Sequence, residues 1–445
     1  MGITQVITVV GGGFAGVEAA WAAANQGVKV YLYEMRPVKM TPAHKTDYLA
    51  ELVCSNSFKS KLPTTPAGQL KAEMVALGSL VIQAGEKHSV PGGEALAVDR
   101  EKFALEITQK ITEHPFIEVR REEFLPENIE KALSKGPLIL AGGPLFSQPM
   151  AKWLAENTGQ ENLYFYDAVS PVVETSSLNH DLIFAQSRYQ KGEGDDYLNC
   201  PFTKEQYFAF VEALVQSEQV PLHAFEEPKF FQGCMPIEEI AKKGTNSLAF
   251  GNFKPVGLVD PKTGHRPYAA LQLRPENREK TLYSLVACQN RMKWGEQKRV
   301  FQMVPGLEDA EFIRFGVIHR NTYIESPKVL QSNLELKDHP GIYVAGQLTG
   351  VEGYVESAAM GILAGIEASR KIQGLSSIHP PRASAYGSLI AHLQDSTPRD
   401  FAPMNINWGI FPEPEIAIKD KNKRRKFKLL KAKEAFLDWV HAFGA

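Results

Sequence analysis

The sequence predicts an α/β fold in which a parallel sheet is built from both ends of the chain and interrupted by a second, inserted α/β domain. Three observations carry that prediction. A β-branched strand near the N-terminus runs into a glycine turn and an alanine-rich helix. A second apolar strand, at 137–144 (PLILAGGP), ends in Gly-Gly. A third lies just beyond position 340 and is followed by glycines and a helix of small residues.

The first strand is 5–10 (QVITVV), apolar and β-branched as a strand buried on both faces requires. It meets Gly11, Gly12, Gly13, Phe14, Ala15 and Gly16, after which 17–26 reads as a helix ended by Gly27. A second strand follows at 28–33 (VKVYLY) and is closed by Glu34. Strand, tight turn, helix and strand in this order form the context a dinucleotide fingerprint needs. Gly11 permits the turn, Gly13 lets the backbone approach a pyrophosphate, and Gly16 lets helix and strand pack closely. The helix N-terminus then presents free N–H groups and its positive dipole end to phosphate. Glu34 stands 18 residues after Gly16, where a carboxylate accepts the ribose hydroxyls of an adenosine. The turn alone does not distinguish FAD from NAD.

The far end does. Residues 341–347 (GIYVAGQ) read as a short strand ending at Gly346 and Gln347, followed by 348–354 (LTGVEGY) and a small-residue helix at 355–364 (VESAAMGILA). This segment resembles the second flavin-contacting segment of FAD proteins of the glutathione-reductase type. The resemblance implies a Rossmann-like FAD-binding domain whose late helix points its N-terminus at the flavin pyrimidine, where the dipole stabilises the anionic reduced ring. Many such strands end in Gly-Asp; here the amide of Gln347 would contact the ribityl chain. A buried helix that needs small residues simply to pack is the alternative. The strand at 137–144 resembles the family's middle strand, passing under the flavin. The expected division is 1–173 and 321–445 for the FAD domain, with 174–320 inserted.

At 445 residues, two to three domains are expected. A formal charge of -2 excludes a global basic field, so any nucleic-acid binding must come from local patches. No apolar run approaches the roughly 18 residues of a membrane span, and the N-terminus reads as a strand rather than a signal peptide. A cytoplasmic protein is expected, with no metal spacing among its cysteines.

The four cysteines at 54, 200, 234 and 288 form no C-x-x-C pair and suit a reducing compartment. Cys54 (ELVCSNS, 51–57) and Cys234 (GCMPIEE, 233–239) sit in loop-like sequence beside polar residues, glycine or proline, settings that favour a reactive thiol. Cys288 follows an apolar run and reads as core filler, with Cys200 in between.

Those two thiol segments belong to a longer ordered set: LYFYDAVSPVV (163–173), SRYQKG (187–192), NCPF (199–202), KPVGL (254–258), KWGEQKRVF (293–301), HRNTYI (319–324), AGQLTGVEGYVESAAMG (345–361) and PMNINWGIFP (403–412). Together they resemble the TrmFO family, folate- and FAD-dependent tRNA (uracil-5-)-methyltransferases, over nearly the whole chain. Gly251-Asn252-Phe253 and Trp408 depart from the family pattern, at neither a thiol nor a flavin-site glycine. The resemblance implies that FAD, reduced by NADPH or NADH, takes the carbon of 5,10-methylenetetrahydrofolate as a flavin N5-methylene intermediate. That carbon then passes to C5 of the T-loop uridine of tRNA. It further implies Cys234 as the nucleophile that adds to uracil C6, and Cys54 as the second thiol that guards the methylene or removes the C5 proton.

Tyr354 could stack on a flavin, pterin or base, or simply pack; His319 could meet a folate glutamate or be structural. Two basic patches are candidates for RNA. Residues 419–433 carry nine Lys or Arg and one Asp on an expected helix with Phe427, Leu429 and Leu430 as its apolar side. Lys293, Lys298 and Arg299 surround Trp294. No membrane or obligate protein partner is expected. The alternatives are a ribosomal-RNA uracil-5-methyltransferase on the same scaffold, a GidA-like wobble-uridine modifier, and a flavin-bound RNA-binding module without turnover.

Overall fold

A computed structural model describes residues 5–41, 43–159, 163–221, 235–316, 318–396 and 401–443, with backbone alone at 163–168, 318–321 and 443. Five parallel strands form the first sheet, in the spatial order Ile342–Val344, Leu138–Leu140, Val6–Val10, Lys29–Tyr33 and Ile117–Arg120. The central strand Val6–Val10 is buried at every position, which explains its β-branched sequence, apolar but for Thr8. Strands from residue 6 and residue 342 thus share one sheet, joined through Leu138–Leu140.

The helix after the glycine turn runs Phe14–Asn25, beginning three residues earlier than the sequence suggested, because Gly13 itself serves as the N-cap. Along it lies the long helix Tyr354–Ile372. A Cβ at Gly361 would overlap the backbone of Ala15, and one at Gly365 that of Ala19. The small residues of the late helix are therefore needed for packing. Its first residues, Tyr354, Val355 and Ser357, also line a cavity.

The second sheet has six strands in the order Phe184–Ala185, Leu198–Phe202, Ala269–Pro275, Leu282–Leu285, Val172–Glu174 and Phe312–Arg314, antiparallel throughout. It has its own core, in which Cys200 and Cys288 are fully buried with Phe202, Phe210 and Phe301. Between the two sheets the chain passes as an antiparallel pair, Leu163–Ala168 against Ile318–Tyr323, so the outgoing and returning strands run side by side.

The C-terminal helix Lys421–Phe443 corrects one expectation. Its buried stripe is Lys428, Ala432, Phe436 and Val440, while Phe427 and Leu430 are exposed. The i, i+4 spacing selects that stripe, and Lys428 enters it because its amine finds the carbonyls of Trp408 and Phe411 and the Glu413 carboxylate. Among the described residues, no helix is long and apolar enough to cross a membrane.

Candidate active site

Two cavities meet at the C-terminal ends of the parallel strands. The first is lined by the glycine turn from Gly11 to Ala15, by Glu34 and Arg36, and by Gly142 and Gly143 after the middle strand. The second, about 390 Å³, is lined by Cys54, Lys59, Arg274, Arg314, Gln289 and Asn405. Val53, Pro144, Leu145, Gln347, Tyr354 and Ser357 line both, so the two spaces are continuous.

This shape fits a flavin dinucleotide. Gly11 takes φ +108°, and a side chain there would strike Ala141. A Cβ at Gly16 would overlap the Gly11 carbonyl, which keeps strand and helix in contact. Gly13 faces open space, and no side chain caps the helix it begins, leaving the first N–H groups for a phosphate. The helix starting at Tyr354 likewise has no side-chain cap, and its first residues line the second cavity. Gly346, at φ +73°, packs against Ala15 rather than lining either space.

Glu34 is more occupied than its spacing implied. Its carboxylate accepts from Gly12 N (2.9 Å), Arg36 N (3.0 Å), Arg36 Nε (2.9 Å) and Arg36 Nη2 (3.1 Å). Burial works against its charge, but the hydrogen bonds and charge of Arg36 outweigh it and hold the carboxyl below its ordinary value. Arg36 continues to Glu51 at 3.1 Å. Gln347 donates to Glu352 at 2.9 Å.

Cys54 is half-buried in a loop gripped from several sides. Its N–H donates to Tyr354 Oη at 2.7 Å, and its carbonyl accepts from Arg100 Nη2 at 2.6 Å and Arg314 Nη2 at 3.2 Å. Asn56 bonds the carbonyls of Val98 and Pro275 and accepts from Arg274 Nε. Tyr354 stacks on Phe14 with centroids 4.5 Å apart, and Phe14 stacks on Phe103. The aromatic therefore packs, as the plainer expectation held, while facing both cavities.

Around this loop Arg100, Arg274 and Arg314 are opposed by Glu276, which pairs with Arg100. Burial penalises the Glu276 charge, yet Arg100 above all, then Arg314 and Arg274, hold its carboxyl below the ordinary range. Burial and then the like charge of Arg100 push Arg314 down to about 10, so it remains cationic at neutral pH. Nothing local marked these four residues in the sequence; the antiparallel sheet delivers three of them to a loop of the other domain. Arg36, two residues from Glu34, was the one neighbour that spacing could have found.

The remaining expectations divide. Cys200 and Cys288 are buried, and burial pushes both thiols well up. Cys234 lies outside the described residues. The chain beyond it is anchored where the Ile237 N–H donates to the carbonyl of Gln289, a residue of the second cavity. His319 belongs to a strand described by backbone alone, in register with Asp167. Near Trp294, Lys293 pairs with Glu218 and Arg299 with Glu296, so that patch is less basic than its sequence.

The comparisons agree with this geometry. Residues 6–376 match the family of glucose inhibited division protein A. Among solved structures, GidA of Aquifex aeolicus superposes with a TM-score of 0.67 at 14% identity, covering 98% of this chain and 74% of that one, a likeness of fold. The methylenetetrahydrofolate--tRNA-(uracil-5-)-methyltransferase TrmFO of Moorella thermoacetica is 51% identical over 434 residues, 97% of this chain and 98% of that protein. The TrmFO protein of Enterococcus faecalis is 50% identical, covering 95% of each. With half of all positions shared along nearly the full length of these relatives, the chain belongs to the TrmFO family.

Proposed function

We propose that this protein methylates C5 of the T-loop uridine in tRNA, taking the carbon from 5,10-methylenetetrahydrofolate and using FAD reduced by NADPH or NADH. The observation that carries the reading is the continuity of the two cavities. A cleft lined by the glycine turn opens directly into a chamber lined by a thiol, Cys54, and by two half-buried arginines, Arg274 and Arg314.

The N–H groups after Gly13 would hold the cofactor's pyrophosphate, and Glu34, fixed by Arg36, would accept from its ribose. Bound FAD supplies the redox chemistry that turns a methylene carbon into a methyl. The protein's own task is to activate the base. Uracil C5 is a weak nucleophile until a thiolate adds to C6, which makes C5 enolate-like and able to attack an electrophilic carbon. Family membership and the anchoring of Ile237 beside Gln289 support Cys234 as that thiol. Cys54 then takes the C5 proton or shields the one-carbon unit, from a loop held by Arg100, Arg314 and Tyr354. A base stacked in the loop cannot present both C5 and C6 to groups of the protein, so the uridine is extruded from the T-loop. The parts 1–173 and 321–445, less the strand Val172–Glu174 that joins the second sheet, form the cofactor domain, and 174–320 supplies Arg274 and Arg314. The reaction is a cytoplasmic one.

Nucleoside mass spectrometry tests this directly. An unmodified tRNA transcript is incubated with protein, FAD, NADPH and methylenetetrahydrofolate, without S-adenosylmethionine. Methyluridine in the T-loop fragment is the expected result; a flavin-loaded protein that yields none overturns the reading.

A further inference from the structure

A short segment ties the rim of the second cavity to the basic C-terminal helix. Asn405 lines that cavity. Its neighbours are fixed there, Met404 N–H donating to the Gly350 carbonyl and Ile406 N–H to the Glu356 carboxylate. Three residues further on, Trp408 gives its carbonyl to Lys428, and Arg425 lies over the Trp408 ring at 5.8 Å. Three residues span at most roughly 11 Å, so the basic half of the helix stands close to the cavity mouth.

The outward charge of that half is largely uncompensated. Arg424 and Lys428 share Glu413, and Lys431 meets Glu434. Lys421, Lys423, Lys426 and Lys433 are exposed and have no ion pair among the described residues. The opposite face buries Ala432, Phe436 and Val440, so the lysines are held outward together with the exposed ring of Phe427.

We propose that this outward face of Lys421–Phe443 is a docking surface for the phosphate backbone of the tRNA whose uridine enters the cavity. A base drawn into the chamber leaves its flanking phosphates at the mouth, and phosphate contacts dominate nucleic-acid affinity. Phe427, among lysines, offers a stacking face to an unpaired base. The inference rests on the tRNA reading above and adds where the RNA lies.

The test replaces Lys421, Lys423, Lys426 and Lys433 with Ala together, in the full-length flavin-loaded protein. The dissociation constant for an unmodified tRNA transcript is measured across a salt series, beside the rate of flavin reduction by NADPH. The affinity is expected to fall roughly tenfold or more, and the slope of log Kd against log salt to become shallower by up to about 3.6, at near 0.9 for each of four lost phosphate contacts. Flavin reduction is expected to be unchanged. Unaltered affinity and slope overturn the docking surface, as does loss of binding to phosphatidylserine vesicles without loss of tRNA affinity. If the unmodified protein methylates tRNA while the variant binds it normally, only this inference fails; if the unmodified protein neither binds nor methylates tRNA, the functional reading fails first.

Discussion

The hydroxyl of Tyr354 holds the backbone N–H of Cys54 at 2.7 Å, joining residues 300 positions apart in the chain. Tyr354 begins the late helix and Cys54 follows the second strand, so the thiol loop is set by the same helix that faces the flavin cavity. Tyr354→Phe keeps the ring on Phe14 and removes the hydroxyl that accepts from Cys54. Turnover should fall about tenfold, near 1.4 kcal/mol, with flavin content unchanged; a matched loss of bound flavin would instead mean that the ring serves the cofactor.

Glu276 is the carboxylate set against three guanidiniums beside the Cys54 loop. Glu276→Gln leaves Arg100, Arg274 and Arg314 to repel one another in a buried space. A loss of roughly 3 kcal/mol is expected, read as a lower urea midpoint at constant slope.

Gly16→Ala places a methyl on the Gly11 carbonyl. Strand and helix must separate to admit it, and the phosphate cradle opens with them. The purified variant should carry less than about a tenth of the normal flavin, at an overpacking penalty of roughly 2 kcal/mol. Normal flavin absorbance would show that the turn tolerates the shift.

Thiol labelling should separate the cysteines. Cys54 lines a cavity, whereas Cys200 and Cys288 are fully buried with thiols pushed well up. Iodoacetamide on the native protein followed by peptide mass spectrometry should mark Cys54 and leave the other two unmodified until urea is added.

Two buried carboxyls make stability depend on pH. Glu18 meets the first N–H groups of the helix Leu80–Lys87, and Glu73 those of Ala385–Asp395. Burial raises each from 4.5 to about 7, against the hydrogen bonds that lower it. The folded state therefore holds protons that the unfolded state has lost between these values, and stability falls as pH rises through that window, by about 1.4 kcal/mol per pH unit for each group. Glu73→Gln removes one such group. Its stability relative to the unmodified protein should improve from pH 4.5 to pH 7 and then level off; a constant difference would exclude the linkage.

The cofactor domain was readable because its signals are local. Gly11 to Gly16 act within one turn, and strands 5–10, 137–144 and 341–347 each announce themselves as apolar runs ending in glycine. The thiol at 54 was visible from its polar, loop-like neighbours. Its partners were not, because Arg100 at a helix start, Arg274 and Glu276 at the end of one strand, and Arg314 on another meet only in the folded chain. Glu34 was found by spacing, but its capture by Arg36 depends on rotamers that spacing does not specify. On the last helix, counting apolar residues favoured Phe427 and Leu430; the stripe instead follows Lys428, whose aliphatic stem buries once its amine is satisfied.

The edge strand Ile342–Val344 completes the parallel sheet against Leu138–Leu140, about two hundred residues downstream. During synthesis at roughly 5–20 residues per second, the ribosome takes about 10–40 s to supply it. Throughout that interval the backbone edge of Leu138–Leu140 and the face awaiting Tyr354–Ile372 have no native partner. The antiparallel unit is finished first, so the nascent chain matures from its middle outward, and the cofactor cleft is among the last parts to close.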